Sequence, residues 1–389
     1  MKPRVLMVTG AYFPETSGGG LQARAVIRAL HRDADFVVLT TSADPSLPAH
    51  SEEDGIAIRR VHVDVASAIS TLTAAARLLS AFVALAPRID IVNLHGFSGK
   101  AIVLAALSRL FRKRFVLTLQ TSVQDEPPAV RRTGAAAYWA YLSADLYLSV
   151  SPGLSRGYLE GGLPASRLRQ VRNAVETDRF RPPAAGEREA LRRELGLPLD
   201  LPIVLFVGYF SRDKRPDVMY RAWAAADTGH RRPALVMIGA TRAVHGEVNT
   251  ALAPAIRESA IRDRFADRLF LVEATTTIER YFRAADLFVL PSVREGLPIA
   301  LIEAMSSGLP CVASRLEGST DVLIEDQATG LLVAPDDEAG FASAIGSLLT
   351  DRATAERLGA AARTMVLDRY AIQTAAAAWL AAYQELSPS

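Results

Sequence analysis

The sequence predicts an α/β protein with two domains, each built on a doubly wound parallel sheet. Its 389 residues are more than one ordinary hydrophobic core organises, so two domains are expected. Half of the residues are apolar, in short aliphatic runs typical of parallel strands that are covered on both faces. These runs alternate with helical stretches along the chain, and parallel strands require such crossover helices.

Strand-like and helical stretches alternate regularly through the first half of the chain. The strand candidates are RVLMVTG, ADFVVLTTS, IAIRRVHV, IDIVNLHG, RFVLTLQ, DLYLSVS and RLRQVRNAV. The helical stretches lie at 20–31, 68–86, 99–111, 130–143 and 152–160. The longest apolar stretch, 66–86, contains Ser, Thr and a central Arg77, which favours a helix packed on a sheet over a membrane span.

A Pro-rich and charged segment at 182–202 interrupts this rhythm and predicts a linker followed by a helix. A second series of strand-like runs follows it: IVLFVGYF, ALVMIGA, RLFLVEA, LFVLPS, PCVAS and GLLVAP. We therefore place the first domain at 1–180 and the second at 181–369. Ligands of such sheets bind beyond the carboxyl ends of the strands, so the loops at those ends are the places to look for a site.

The composition narrows the class of protein. Cys311 is the single cysteine, which excludes an internal disulfide and a cysteine-cluster metal site. The N-terminal MKPRVLMVTG has an apolar run too short for a secretion signal. We expect a protein of the reducing cytoplasm.

Positive charge is concentrated in the first half of the chain. Residues 1–180 contain 21 Lys and Arg against 15 Asp and Glu, whereas the remainder contains 23 against 27. The segment RLFRKRF at 109–115 places cations beside apolar residues, which suggests peripheral contact with an anionic membrane at the inner face. A solvated helix end has the same composition. Nucleic acid is disfavoured as a partner, because no aromatic platform or helix-turn-helix accompanies the charge.

The segment SVREGLPIALIEAMSSGLPCVAS, 292–314, carries two glutamates between two strand-like runs. Pro298 lies where a first helical residue is expected, and Gly308 lies where the helix is expected to stop. Glu295 then falls in the entry loop and Glu303 in the second turn. The free N–H groups of this helix start form an anion site, and carboxylates accept hydrogen bonds from sugar hydroxyls, so a ligand with phosphate and hydroxyls is predicted.

Three further loops at strand ends carry chemistry. SGGG at 17–20 precedes a helix and allows close approach of a phosphate or sugar, although its glycine spacing is not that of a dinucleotide site. His95 ends a strand. YFSRDKRPD supplies Arg212, Lys214 and Arg215, whose charges suit a diphosphate.

These blocks together resemble the retaining glycosyltransferases of family four (glycosyl transferases group 1), which have the GT-B fold. The resemblance covers nearly the whole chain, in order: GGGLQ, DIVNLHG, LSVSPGLSRGYLEGGLPASRLRQVRNAVETDRFRP, FVGYFSRDKRPD, RYFRAADLFVLPSVREGLPIALIEAMSSGLPCVAS and TGLLVAPDD. The Glu-Gly-Leu-Pro run with a second glutamate after seven intervening residues is its most specific mark. It implies two Rossmann-like domains facing a central cleft, with the acceptor held by the first domain and a nucleotide sugar by the second. A C-terminal helix at about 370–389 is expected to pack back on the first domain.

The resemblance also implies roles for individual residues. Glu303 would hold the ribose and Glu295 the hydroxyls of the transferred sugar. The residues implied at the donor are Gly19, Gly20, Arg212, Lys214, Glu295, Gly296, Leu297, Pro298, Ile299 and Glu303. Among these, Lys214 and Glu295 are implied in catalysis together with His95. The implied enzyme is a hexosyltransferase that needs no metal and no cofactor beyond its nucleoside diphosphate sugar, and that works in glycan, glycolipid or small-glycoside biosynthesis.

Two departures from the family pattern concern single residues. Tyr209 stands where an arginine usually follows the strand glycine, and Arg212 is the candidate to replace its charge. Gln120 stands where a histidine usually ends the fifth strand. A third departure is the segment MIGATRAVHGE at 237–247, which stands where the family usually has a glycine-rich turn.

Two alternatives remain open at this point: a nucleotide-sugar 2-epimerase of the same fold, and a catalytically silent sugar-nucleotide-binding protein. A GT-A transferase is disfavoured, because the only Asp-x-Asp, at 33–35, precedes a strand.

Overall fold

A computed structural model describes residues 2–15, 17–64, 67–226, 228, 232–241 and 248–387. The segment at 237–247 that departs from the family pattern is described only as far as residue 241. The chain forms two compact units. Unit 1 comprises residues 1–174 together with 372–389, and unit 2 comprises 175–371. The sequence alone placed the first boundary at 180.

Unit 1 contains one sheet in the strand order β3-β4-β2-β1-β5-β6-β7-β8. All of its pairings are parallel except β3 with β4. The strands are β1 Arg4–Thr9, β2 Asp35–Ser42, β3 His50–Glu53, β4 Ile56–His62, β5 Ile91–His95, β6 Arg114–Leu119, β7 Leu146–Ser149 and β8 Leu168–Gln170. The helices are α1 Gly18–Leu30, α2 Ala68–Leu85, α3 Lys100–Leu110, α4 Pro127–Thr133, α5 Ala135–Leu142 and α6 Pro152–Glu160.

Unit 2 contains a wholly parallel sheet in the order β11-β10-β9-β12-β13-β14. Its strands are β9 Ile203–Val207, β10 Ala234–Ile238, β11 Leu269–Val272, β12 Leu287–Leu290, β13 Cys311–Ser314 and β14 Leu331–Val333. Its helices are α7 Glu187–Glu194, α8 Pro216–Ala225, α9 Leu252–Arg262, α10 Ile278–Ala284, α11 Ile299–Ser306, α12 Glu338–Thr350 and α13 Arg352–Arg369. Helix α14, Ile372–Leu386, belongs to unit 1.

Both sheets reverse their direction of winding at one point. In unit 1 the chain builds outward from β1 to β4 and then restarts at β5 on the other side of β1. In unit 2 it restarts at β12 beside β9. A doubly wound sheet opens a crevice at such a switch point, at the carboxyl ends of the two strands, and that crevice is the usual ligand site. The prediction of two Rossmann-like, doubly wound domains is confirmed.

Helix α14 completes unit 1. It packs against α1, and Ile372 and Ala375 share an apolar cluster with Ala25 and Ala174. The indole N–H of Trp379 donates to the carbonyl oxygen of Arg172 at 3.2 Å.

The structure differs from the sequence prediction in three elements of unit 1. The edge strand β3 is additional and antiparallel, and its HSEE sequence lacks the apolar alternation that signals a strand. The helical stretch predicted at 130–143 is two helices, since Gly134 has φ +129° between them and breaks the hydrogen-bonded ladder. Strand β8 covers only three residues of the run predicted at 167–175.

Among the described residues, one helical segment, Ile69–Arg88, is long and apolar enough to cross a membrane by length and composition, with mean hydropathy 1.7 and 28% of the window buried. The helix at its centre, α2, also packs in unit 1: Ala74, Leu78, Phe82 and Leu85 are buried on one of its sides.

Candidate functional site

An ion pair joins the two loops at the switch point of unit 2. Lys214, in the loop after β9, donates to both carboxylate oxygens of Glu295, in the loop after β12, at 2.6 and 2.7 Å. Beside it Arg294 pairs with Asp213, and the N–H of Val293 donates to the carbonyl oxygen of Asp213 at 2.8 Å. The two residues that the sequence singled out therefore meet, and their loops are held together by three contacts.

The loop that carries Lys214 depends on a close backbone approach. A Cβ at Gly239, after β10, would collide with the carbonyl oxygen of Gly208, after β9, so only glycine fits there. The loop then closes through the N–H of Lys214, which donates to Ser211 Oγ at 3.3 Å.

Helix α11 follows the loop that carries Glu295 and runs Ile299–Ser306. Pro298 is therefore its cap residue, and the helix begins one position later than the sequence suggested. Gly308 has φ +73° just past its end, as predicted. Pro298, at the cap position of α11, makes no side-chain hydrogen bond to the helix, and the start of a helix carries partial positive charge.

Glu303 lies on α11 and is 7% exposed. Within the described part of the chain, the side-chain carboxyl of Glu303 accepts no hydrogen bond. Its backbone carbonyl accepts from the N–H and the hydroxyl of Ser307. Burial raises the pKa of Glu303 to about 8, against a smaller lowering by the charge of Arg179. A buried carboxyl with unused acceptor capacity and a pKa near neutrality is typical of a ligand site.

The loop after β9 carries two further cations, of which Arg212 was implied at the donor and Arg215 was noted for its charge. Arg212 is exposed and has no ion pair among the described residues. Arg215, in contrast, pairs with Asp336 at 2.7 Å and so holds the end of its own loop.

In unit 1 the switch point brings Gly19 beside His95. A Cβ added at Gly19 would lie 3.7 Å from the Cβ of His95, in ordinary contact. A Cβ at Gly20 would instead collide with the carbonyl oxygen of Ala11, while the N–H of Gly20 donates to Ser17 Oγ at 3.1 Å and opens α1. Gly20 is therefore required by the fold, whereas Gly19 leaves space next to the imidazole.

His95 is 6% exposed and is held by polar and aromatic neighbours. Its Nε2 lies 3.5 Å from Asn93 Nδ2 and its Nδ1 lies 3.4 Å from Gln120 Nε2. Its ring stacks on Trp379 with 5.6 Å between ring centres and 6° between planes. Burial lowers the pKa of His95 to about 3, so the imidazole is neutral at physiological pH. It can exchange hydrogen bonds with a hydroxyl, and Gln120, at a position of departure from the family, orients it.

Lys100 was not singled out from the sequence. Its ammonium donates to the carbonyl oxygen of Thr9 at 3.1 Å and to Thr41 Oγ1 at 3.2 Å, at the carboxyl ends of β1 and β2. No carboxylate within the described ranges forms an ion pair with it, and burial lowers its pKa to about 8. The sequence offered one signal for it: Lys100 lies shortly after His95 in the chain, at the start of α3.

Among the described residues, no group of three or more His, Cys, Asp or Glu side chains is arranged to hold a metal ion.

Family profiles match both units. The glycosyl transferases group 1 profile matches residues 187–365, and the glycosyl transferase 4-like domain profile matches 17–174. Over 405 residues the chain is 29% identical to alpha-maltose-1-phosphate synthase of Mycolicibacterium smegmatis, covering 99% of this chain and all of that enzyme. It is 36% identical over 198 residues to D-inositol 3-phosphate glycosyltransferase 2 of Catenulispora acidiphila, covering 48% of this chain and 44% of that enzyme. The chain thus matches only about half the length of this second relative.

Solved structures show the same fold. Sucrose-phosphate synthase from Thermosynechococcus elongatus superposes with a TM-score of 0.82 at 22% identity, covering 99% of both chains. HepE of Anabaena, in complex with UDP and glucose, superposes with a TM-score of 0.78 at 16% identity, covering 98% of this chain and all of that one. The two profiles account for both doubly wound units, and the fold is that of these structures. The chain belongs to the GT-B glycosyltransferases of family four.

Proposed function

We propose that this protein transfers a sugar from a nucleoside diphosphate sugar to a hydroxyl acceptor with retention of anomeric configuration. The observation that carries the proposal is the pairing of Lys214 with Glu295 just before the start of α11, the helix that holds the buried carboxyl of Glu303. Family membership supports it, and so does HepE of Anabaena, which was crystallised with UDP-glucose.

In unit 2 the proposed donor contacts follow from charge. The diphosphate takes the cationic ends of Lys214 and Arg212 and the N–H groups of Gly296, Leu297 and Ile299, with Pro298 fixing the turn. Glu303 accepts hydrogen bonds from ribose hydroxyls, and Glu295 accepts them from the transferred sugar. In the absence of ligand, Lys214 and Glu295 neutralise one another, which keeps both long side chains in place for the donor.

In unit 1, His95 is the proposed partner of a hydroxyl of the transferred sugar, and Gly19 leaves room for the donor beside it. Gly20 contributes through the start of α1 rather than through a contact of its own. The neutral imidazole accepts or donates a hydrogen bond without adding charge.

The proposed chemistry uses no protein nucleophile. The bond from the anomeric carbon to the diphosphate breaks while the acceptor oxygen approaches from the same face, and the acceptor proton passes to a phosphate oxygen. Negative charge grows on the departing diphosphate, so Lys214, Arg212 and the start of α11 stabilise the transition state more than the bound donor.

Lys100 bears on the acceptor. We propose that it binds an acidic group of the acceptor, since it is a partly buried cation whose hydrogen-bond partners are neutral, at the carboxyl edge of the unit 1 sheet. Two relatives are named for phosphorylated compounds, D-inositol 3-phosphate and alpha-maltose-1-phosphate, which agrees with an anionic acceptor.

The deciding experiment follows nucleoside diphosphate release from UDP-glucose and other donors, with and without candidate acceptors that carry or lack a phosphate. A transferase releases the diphosphate only when an acceptor is present. A change of configuration at C2 of the donor sugar with no acceptor present, and with no net release of diphosphate, would indicate the 2-epimerase instead. Tight donor binding with no turnover under any condition would indicate a silent binding protein.

We propose a cytoplasmic location with peripheral contact at an anionic membrane. Support for the membrane part comes from the basic first half of the chain and the segment 109–115.

A further inference from the structure

Helix α2 has a second apolar stripe that no part of the described chain covers. Ile69, Leu72, Leu79 and Val83 recur at helical spacing and are 78%, 75%, 44% and 45% exposed. They lie away from the stripe of Ala74, Leu78, Phe82 and Leu85 that is buried in unit 1. Exposed Thr73, Arg77 and Ser80 share this outer side, which is therefore amphipathic.

Neighbouring helices extend this surface. Helix α3 packs between α2 and α5, and Phe111 at its end lies 6.0 Å, between ring centres, from Phe82 of α2. Leu110 of α3 is 74% exposed, and Trp139 of α5 is 40% exposed. Several large apolar side chains therefore face outward on three adjacent helices, more than scattered surface hydrophobics explain.

The charge of these helices is of one sign. The sequences of α2, α3, α4 and α5 contain no Asp or Glu. Exposed cations accompany them: Arg77 on α2, Arg109 at the end of α3 and Arg112 just beyond it. Neither Arg109 nor Arg112 forms an ion pair within the described ranges. A protein partner could match the apolar part, but a one-sign cationic border around apolar side chains matches an anionic lipid surface.

A cavity of about 670 Å³ adjoins the end of α3 and is lined in part by Arg109, Arg112 and Lys113. The carboxylates in its wall are each engaged by an arginine: Asp90 by Arg4, Asp145 by Arg114 and Glu385 by Arg169. The cavity therefore has a net positive charge, from Arg109, Arg112 and Lys113, and this charge suits the phosphate of a lipid headgroup.

We propose that the outer face of α2, with Leu110, Trp139 and the cations at 109–113, is the surface by which this protein lies on an anionic bilayer. We call it the lipid face. Helix α2 lies flat, since its opposite stripe remains in the core of unit 1, and its outer stripe enters the boundary between headgroups and acyl chains. The cavity beside Arg112 takes a headgroup phosphate. This inference names the surface for the membrane contact proposed above and does not depend on which donor or acceptor is used.

Flotation with liposomes tests the lipid face. The full-length protein is mixed with vesicles of phosphatidylcholine alone or with 30% phosphatidylglycerol, at low and high salt. Two variants separate its parts: Leu72→Gln with Leu79→Gln for the stripe, and Arg109→Gln with Arg112→Gln for the charge. Matched controls in unit 2 are Ile261→Gln, at a residue that is 68% exposed, and Arg257→Gln, also exposed.

We expect the wild type and both controls to float with the anionic vesicles at low salt. The stripe variant should bind at least tenfold more weakly at either salt concentration, since each leucine contributes about 1.5 kcal/mol or more when buried. The charge variant should bind about thirtyfold more weakly at low salt and little more weakly at high salt, because each of its two missing cations contributes about 1 kcal/mol near an anionic surface.

Three results would overturn the inference: no flotation of the wild type, equal flotation of the variants, or retention of the wild type in vesicles after alkaline carbonate extraction, which marks a spanning segment. A change of oligomeric state in the stripe variant without a change in flotation would assign the face to a second copy of the chain. Nucleoside diphosphate release is measured on each variant without vesicles. If release persists while flotation is lost, transfer and membrane contact are separate properties, and if release is absent throughout, the proposed function fails independently.

Discussion

Burial keeps the carboxyl of Glu303 in its neutral form, which binds ribose hydroxyls less well than the carboxylate does. With a pKa of about 8 it is mostly protonated at pH 7, whereas two ribose hydroxyls are best bound by the carboxylate. Binding of a nucleoside diphosphate should therefore release a proton near pH 7, and its affinity should rise with pH up to about 8 and then level off. Calorimetry in buffers of different ionisation enthalpy measures the released proton.

Variants make the assignment of Glu303 specific. Glu303→Gln should abolish proton release, and Glu303→Ala should weaken binding roughly 10- to 150-fold, as expected for a charge-assisted hydrogen bond of about 1.5–3 kcal/mol. The exposed Glu258→Gln serves as the control. Because the raised pKa favours the protonated folded state, the ligand-free wild type should lose stability as the pH rises from about 4.5 to 8, and Glu303→Gln should not. Unchanged affinity in Glu303→Ala would remove the ribose role.

Lys214 is expected to act mainly in the chemical step. Lys214→Met should lower kcat roughly 10²- to 10³-fold, because the charge it meets grows toward the transition state. It also removes the cation that pairs with the buried Glu295, so the single variant should be less stable. The double variant Lys214→Met with Glu295→Gln should recover stability, measured by thermal unfolding, without recovering rate. A single variant with wild-type kcat would show that the diphosphate does not use Lys214.

Single residues show how far sequence reasoning reaches. Glu295, Glu303, His95 and Lys214 were found because each follows a strand or opens a helix, and the loops that hold them are local in sequence. Their partners were not predictable, since Glu295 meets Lys214 across 81 positions. Lys100 was missed because its significance lies in Thr9 and Thr41, which only the folded sheet brings to it.

At the level of elements, two adjacent glycines at the start of α1 are expected to have different roles. Gly20→Ala should destabilise unit 1, because its Cβ would meet the carbonyl oxygen of Ala11. Gly19→Ala should leave thermal stability nearly unchanged but slow transfer, because its methyl group would occupy space beside His95. Gly99→Ala, at a helix start where a Cβ meets nothing within 4 Å, is the control. Equal stability of Gly20→Ala and the control would refute the structural reading, and full activity of Gly19→Ala would refute the functional one.

Most of the strands and helices could be predicted from the sequence. Buried parallel strands such as β9 and β10 are continuous apolar runs, and helix ends such as Gly308 carry their own signal. What was missed lacks such a signal: β3 is a polar edge strand that pairs with β4 alone, and Pro298 suits the cap and the first helical turn equally well. The exposed stripe of α2 was also hidden, since apolar periodicity alone does not say which side a core covers.

For the whole molecule, the proposed mechanism makes a statement about metal and stereochemistry. Fixed positive charge from Lys214, Arg212 and the start of α11 would replace a divalent ion at the diphosphate. Turnover should therefore persist in excess EDTA, and NMR of the product should show the donor's anomeric configuration. Loss of turnover that Mn²⁺ restores would contradict the charge assignment, and an inverted product would exclude same-face attack.

Helix α14 gives the chain an unusual order of completion during synthesis. Unit 2 has all of its residues once Ala371 has emerged from the ribosome, whereas unit 1, begun first, still lacks α14. Until then His95 has no Trp379 to stack on, and Asn93 lacks the hydroxyl of Tyr383, to which it donates at 2.8 Å. Multidomain chains commonly fold from the N-terminus onward. Here all strands of the first sheet would be synthesised while unit 1 still lacks α14, and the imidazole proposed to meet the sugar would be among the last groups to be fixed in place.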